Sequence, residues 1–266
     1  MRLSTGTTGG PVISPPRSII IELGLDVVSA GEVVSARAEV IPETCTPESS
    51  VLRTSVLATW ADVIMGTAAG WAIGPRIPLT GDLEVQLLGT ARPGSTLLAE
   101  ASTVKVGRTV TVCRSEFSDA ATGNPIAVSY ASFIGSPDPT HSFPEGFPPY
   151  EPPEHWLQIP LAEPLQRRVL EPGVVEMPRL PDGLNATGAI QGGLVAFAAE
   201  EAALSRTEGP SVVHSLTVRY LRPFSIGPLR ARARECNGLY EIQLTDTGAG
   251  KLGAVATARL GPPQIG

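Results

Sequence analysis

Hydrophobic and polar positions alternate along much of this chain and stop alternating in two places. From Ser55 to Gly70 the sequence SVLATWADVIMGTAAG is apolar or small almost throughout. A second such run covers about Gly192 to Ser205. A segment that is apolar on nearly every side predicts a helix that must be enclosed. Valine-rich segments bounded by Gly, Asp and Asn predict strands around these helices. SIIIELGLDVVSAGEVVSARAEVIP precedes the first helix, and DLEVQLLG, GSTLLAEASTVKVGRTVTVCRSEFSD and PIAVSYASFIG follow it. The middle segment of those three is long enough for two strands. A weaker β-type run, QIPLAEPLQRRVLEPGVVEMP, precedes the second helix. The pattern predicts an α+β fold of two units, each an antiparallel sheet wrapped around one long helix.

The two units repeat in sequence. DLEVQLLGTARPG (82–94) aligns without gaps on SLTVRYLRPFSIG (215–227), so that Leu83, Val85, Leu88 and Gly94 match Leu216, Val218, Leu221 and Gly227. Further on, Asp119, Gly123, Ala127, Val128 and Ala131 match Asp246, Gly250, Ala254, Val255 and Ala258 at constant spacing. This is the mark of a tandem duplication. Residues 136–164 are proline-rich and read as a linker or surface strap. The expected division is therefore 1–135, linker 136–164, and 165–266.

Composition narrows the function. A chain of 266 residues, 42% hydrophobic and 17% charged, can bury a sizeable core. A net charge of −6 argues against a nucleic-acid partner. No apolar run was expected to approach the ~18 residues of a membrane span, and the first residues lack a signal peptide's apolar core. The expectation is a cytoplasmic protein without a membrane partner. Cys45, Cys113 and Cys236, and His141, His155 and His214, show no metal or redox spacing, so no metal site is expected. Asp62 then stands out: between Arg53 and Arg76 it is the one charged residue. An apolar setting raises a carboxyl pKa and makes its anion a better proton acceptor. The plainer alternative is an Asp bonded to a backbone N–H or to an arginine.

The whole pattern resembles the hotdog fold, and more closely the acyl-CoA thioesterases of the phenylacetate-pathway type. The sharpest match is NATGAIQGGLVAFAAEE. The family has Asn, Gly three later, His-Gly-Gly, then an acid nine after the His. Here these are Asn185, Gly188, Gln191-Gly192-Gly193 and Glu200, with Gln in place of His. In the first half the acid falls on Asp62, but Pro47, Ser50, Arg53 and Thr54 stand where Asn, Gly, His and Gly would be. Such enzymes usually pair the loop of one hotdog with the acid of another. The resemblance therefore implies a fused, pseudo-twofold pair with two pseudo-sites. One joins Asp62 to Asn185–Gly193, and the other joins Glu200 to Pro47–Ser55.

The implied activity is hydrolysis of an acyl-CoA or acyl-carrier-protein thioester to a free acid and a thiol, as in fatty acid metabolism. Asp62 would be the general base or the nucleophile. Free N–H groups of Gly192 and Gly193, at the start of the second helix, would hold the oxyanion. Gln191 would hold the helix start or the substrate carbonyl, and Asn185 would orient water or merely close a turn. Glu200 would serve the second site or end a solvated helix. Gly107, Arg108, Arg219 and Arg222 are candidates for binding the coenzyme A portion, with solvated strand-edge charges as the alternative. Trp60, Trp71 and Phe197 read as core. No cofactor is implied, coenzyme A being part of the substrate, and the partners implied are the thioester and further copies of the chain. Two other readings stand: a non-catalytic acyl-binding module, and a hotdog hydratase or dehydratase. The second usually needs a His beside the acid, which neither helix nor its loop provides.

Overall fold

The computed structural model describes residues 18–29, 33–143 and 155–263. The first unit runs helix α1 (Ile19–Glu22), β1 (Leu25–Ser29), β2 (Val33–Glu39), helix α2 (Thr54–Ile73), β3 (Pro78–Leu87), β4 (Thr96–Val106), β5 (Thr111–Asp119) and β6 (Pro125–Gly135). The second runs β7 (Arg168–Glu171), β8 (Val174–Met177), helix α3 (Gly192–Leu204), β9 (Val212–Tyr220), β10 (Leu229–Cys236), β11 (Leu239–Asp246) and β12 (Lys251–Gly261). All the strands form one 12-stranded sheet in the order β1-β2-β4-β5-β6-β3-β9-β12-β11-β10-β8-β7. Every pairing is antiparallel. The second half of that order is the first in reverse, each strand taking the place of its sequence equivalent. The fold is two hotdog units in tandem.

The register fixes the symmetry. β3 and β9 join the units, with Leu83 opposite Val218 and Glu84 opposite Thr217. The repeat puts Leu83 on Leu216, a step of 216 − 83 = 133, and the same step carries Glu84 to Thr217. Glu84 and Thr217 are thus both equivalents and direct neighbours. The pseudo-twofold axis passes through that pair.

The strands place alternate residues on the helices, as Thr111, Cys113, Ser115 and Phe117 show on β5. Trp60, Ile64 and Met65 of α2 and Phe197 of α3 are fully buried in one continuous core with Phe117, Phe133 and Phe224. Helix α2 is long and apolar enough to cross a membrane by length and composition, contrary to the expectation that no run would be. Its apolar surface is spent inside the protein, where the sheet and α3 cover it.

Three further expectations change. Ile19–Glu22 is a turn of helix, not a strand: Ile19 and Leu23, four apart, are both buried, and Gly24 at φ +81° ends it. Trp71 is 61% exposed rather than core, because it lies near the end of α2 beyond the sheet's cover. The proline-rich segment is anchored at both described ends. Ser136 N donates to Ile77 O, while Leu157 N and Leu161 N donate to Glu22 O and Glu43 O, and both leucines are buried. Its residues 144–154 lie outside the described part.

Candidate active site

Asp62 lies midway along α2, partly exposed, where α2 crosses the start of α3. Its carboxylate is held from both units. Thr80 Oγ1 on β3 donates to Oδ1 at 2.7 Å. Gln191 Nε2 donates to Oδ2 at 2.8 Å. A Cβ placed on Gly192 would lie 3.2 Å from Asp62 Oδ2 and 3.3 Å from Tyr220 Oη, so the missing side chain leaves a narrow niche bounded by both, which a methyl group would enter only if they shifted. Burial pushes the Asp62 pKa up to about 6, and the Thr80 bond partly offsets it. The register of β3 shifts between Thr80 and Asp82, a bulge at Gly81 beside the site.

Gln191 is the N-cap of α3. Its Oε1 accepts from Gly193 N at 2.6 Å and Leu194 N at 3.3 Å. With the oxygen on two N–H groups and the nitrogen on a carboxylate, one amide orientation satisfies all three bonds. This corrects the expected oxyanion site. The Gly193 N–H is already bonded to a side chain, and Gly193 serves helix packing: a Cβ there would come within 2.6 Å of Thr59 Cα. The Gly192 N–H remains the first of the helix, without an acceptor inside it. Tyr220 Oη donates to Gly192 O at 2.9 Å.

Asn185 does not face the niche. Its Oδ1 accepts from Thr187 N, Thr187 Oγ1 and Ala189 N, so it closes the turn that leads to Gly188 at φ +76°. Arg179 holds the same loop through Gly188 O, with Nη2 at 2.6 Å. In the first unit the corresponding loop keeps the shape without the sequence, since Ser50 has φ 51° at the position equivalent to Gly188.

The second pseudo-site is built differently. Glu200 Oε1 accepts from Thr54 N at 3.0 Å and Ser55 N at 3.4 Å, and Oε2 from Ser55 Oγ at 2.5 Å. Glu200 therefore caps α2 directly, which its extra methylene over aspartate makes possible. Arg53 Nη1 lies 3.5 Å from Glu200 Oε2 and 2.6 Å from Glu201 Oε1, with the guanidinium over the Phe197 ring. Arg53 and Glu200 are 3% and 1% exposed, so this seam is buried, whereas Asp62 and Gly192 in the first are partly exposed. Glu200 thus ends neither a solvated helix nor an accessible site. Burial still raises its carboxyl pKa against the pull of Arg53.

The expected coenzyme A contacts scatter. Gly107 and Arg108 occupy the hairpin turn between β4 and β5 rather than a strand, with Gly107 N bonded to Val110 O. Arg219 is exposed on β9 and Arg222 is exposed just after it. None of them is hydrogen-bonded to Asp62, Gln191 or Gly192 in the described residues. Sequence reasoning missed Thr80 and Tyr220. Both fit an ordinary strand pattern, and only the bulge and the β3–β9 pairing bring them to Asp62.

Residues 52–125 match the family model described as the thioesterase superfamily. A comparison with curated proteins finds no sequence match. Among solved structures, the chain is similar to an acyl-ACP thioesterase from Bacteroides thetaiotaomicron at 12% identity and TM-score 0.63, covering 86% of this chain and 98% of that one. It is also similar to the 12:0-ACP thioesterase from Umbellularia californica at 12% identity and TM-score 0.62, covering 88% and 99%. The matched segment begins just before α2 and ends at the start of β6, so it contains Asp62 and Thr80. The chain is a double-hotdog protein whose first unit carries the pattern of the thioesterase superfamily.

Proposed function

We propose that the chain hydrolyses thioesters at Asp62. The observation that carries this reading is the Asp62–Gln191 hydrogen bond, which joins a lone carboxylate of one unit to the helix start of the other. Asp62 takes a proton from water, and the resulting hydroxide adds to the thioester carbonyl carbon. The charge that forms on the carbonyl oxygen is met by the Gly192 N–H and the positive end of α3. When the C–S bond breaks, the Asp62 carboxyl returns the proton to the departing thiolate. A pKa of about 6 suits both transfers near neutral pH. The Gln191 amide aims the carboxylate from the position where the family has a histidine.

The acyl carrier is coenzyme A or an acyl-carrier protein. The solved neighbours named as acyl-ACP thioesterases make the second worth equal testing. One observation favours a non-catalytic acyl-binding module instead: the Gly193 N–H, a presumed oxyanion donor, is bonded to Gln191. A panel of acyl-CoA and acyl-carrier-protein thioesters, followed by release of free thiol, separates the two. Turnover by the native chain and none by Asp62→Asn supports hydrolysis. Equal inertness of both, with retained thioester binding, establishes the module.

A further inference from the structure

The Tyr220 hydroxyl borders the gap at Gly192, and it also begins a chain of bonds that ends on Asp62. Tyr220 Oη–H donates to the Gly192 carbonyl at 2.9 Å. The N–H on the other side of that same peptide group, Gly193 N, donates to Gln191 Oε1 at 2.6 Å. The N–H on the other side of that amide, Gln191 Nε2, donates to Asp62 Oδ2 at 2.8 Å. Two amide groups thus lie in series between a phenol and a carboxylate, all pointing the same way. An amide whose oxygen accepts a hydrogen bond becomes a stronger donor at its nitrogen, so such chains reinforce themselves.

We propose that Tyr220 is a positioning residue for the Asp62 centre, acting through the Gly192–Gly193 peptide and the Gln191 amide to strengthen the hydrogen bond on the carboxylate. The inference rests on the reading of Asp62 as the reacting acid. The second pseudo-site lends independent support. The step of 133 residues that relates β3 to β9 puts Leu87 opposite Tyr220 in the repeat (220 − 133 = 87), and leucine can donate nothing. Arg53 stands there for Gln191, and Glu200 binds the helix N–H groups directly. Phenol, amide and aspartate occur together in one site and are absent together from the other.

Burial and the negative charges of Asp62 and Asp82 hold the Tyr220 pKa well above its usual value, so the hydroxyl stays a donor. The charged groups that act on Tyr220 are Asp62 on α2 and Asp82 on β3. α3 presents no acidic residue in its first turn, and α2 contributes no other charge between Arg53 and Arg76. Asp82 is itself engaged by the Ser132 hydroxyl.

The test is a carbon-13 NMR titration of the Asp62 side-chain carboxyl in the full chain, which reads Asp62 whether or not thioesters turn over. Tyr220→Phe should raise the Asp62 midpoint and lower kcat about tenfold, with KM nearly unchanged. In a Gln191→Leu background, where the relay is already cut, the same change should move nothing. Replacing Tyr220 with a fluorinated tyrosine, a stronger donor of nearly equal size, should lower the midpoint and keeps the question open to answer if the Phe variant folds poorly. A Tyr220→Phe protein that melts earlier but titrates Asp62 as before has lost packing only, and that result overturns the proposal. So does an equal shift in the Gln191→Leu background.

Discussion

At the scale of the residue, the proposed hydrolysis rests on a carboxylate kept where carboxylates are costly. Burial lifts the Asp62 pKa from 3.8 to about 6. Folding therefore favours its protonated form. That contribution to stability is full below about pH 3.8 and is lost as pH rises through about 6. Asp62→Asn has no such dependence. Between pH 4 and pH 8 its stability relative to the native chain should improve by about 2 kcal/mol, taking 1.36 kcal/mol per pKa unit with a discount for partial exposure. Urea unfolding of both proteins at the two pH values measures this. A constant difference across that range would mean that Asp62 titrates as a solvated carboxyl. This residue was legible in the sequence because a charge amid so many apolar neighbours breaks a pattern. Thr80 and Tyr220 were not, because threonine and tyrosine are ordinary strand residues and break nothing.

At the scale of the element, what matters is how each long helix begins. The helices were readable from their unbroken apolar composition, and the observed α2 and α3 begin within a residue of the expected starts. What no pattern along the chain could reveal is that Glu200, over a hundred residues away, meets the first N–H atoms of α2, or that Gln191, which caps α3 locally, reaches Asp62 of the other unit with its amide nitrogen. Gly192 and Gly193 show the consequence. They are adjacent and chemically identical, yet one borders the niche and the other borders backbone. A Cβ on Gly193 would press on Thr59 Cα at 2.6 Å, and main chain cannot give way cheaply. A Cβ on Gly192 would meet the Asp62 and Tyr220 side-chain oxygens at 3.2 and 3.3 Å, which can shift slightly. Gly193→Ala should therefore lose about 2–4 kcal/mol of stability as the helices are forced apart. Gly192→Ala should keep its melting temperature within a few degrees and lose most thiol release, its methyl group filling the space for substrate. Thermal melts alongside the thiol assay distinguish the two, and a reversed ranking would place the open side of the helix at Gly193.

At the scale of the whole molecule, duplication made two seams that have since diverged. The repeat itself was legible, and its step of 133 residues agrees with the register at Glu84 and Thr217. The fate of the second seam was less legible, because a glutamate nine residues after a helix-start position reads the same whether it faces substrate or caps a helix. The difference lies in Arg53. Where the first seam has a neutral Gln191 bridging to a half-open Asp62, the second has a buried cation between Glu200 and Glu201, with Arg167 Nε 2.6 Å from the other Glu201 oxygen. Each charge there is matched, so removing any one would strand the rest in a low dielectric. That seam holds the units together and offers substrate neither a free carboxylate nor an unoccupied helix start, since Thr54 N and Ser55 N already have Glu200. One site per chain follows. Titration calorimetry with a non-hydrolysable thioether analogue of the best substrate from the panel should give a stoichiometry near one per chain, and Gly192→Ala should abolish that binding. A stoichiometry of two, or one that survives Gly192→Ala, would mean that Arg53 swings aside and that the second seam takes substrate as well.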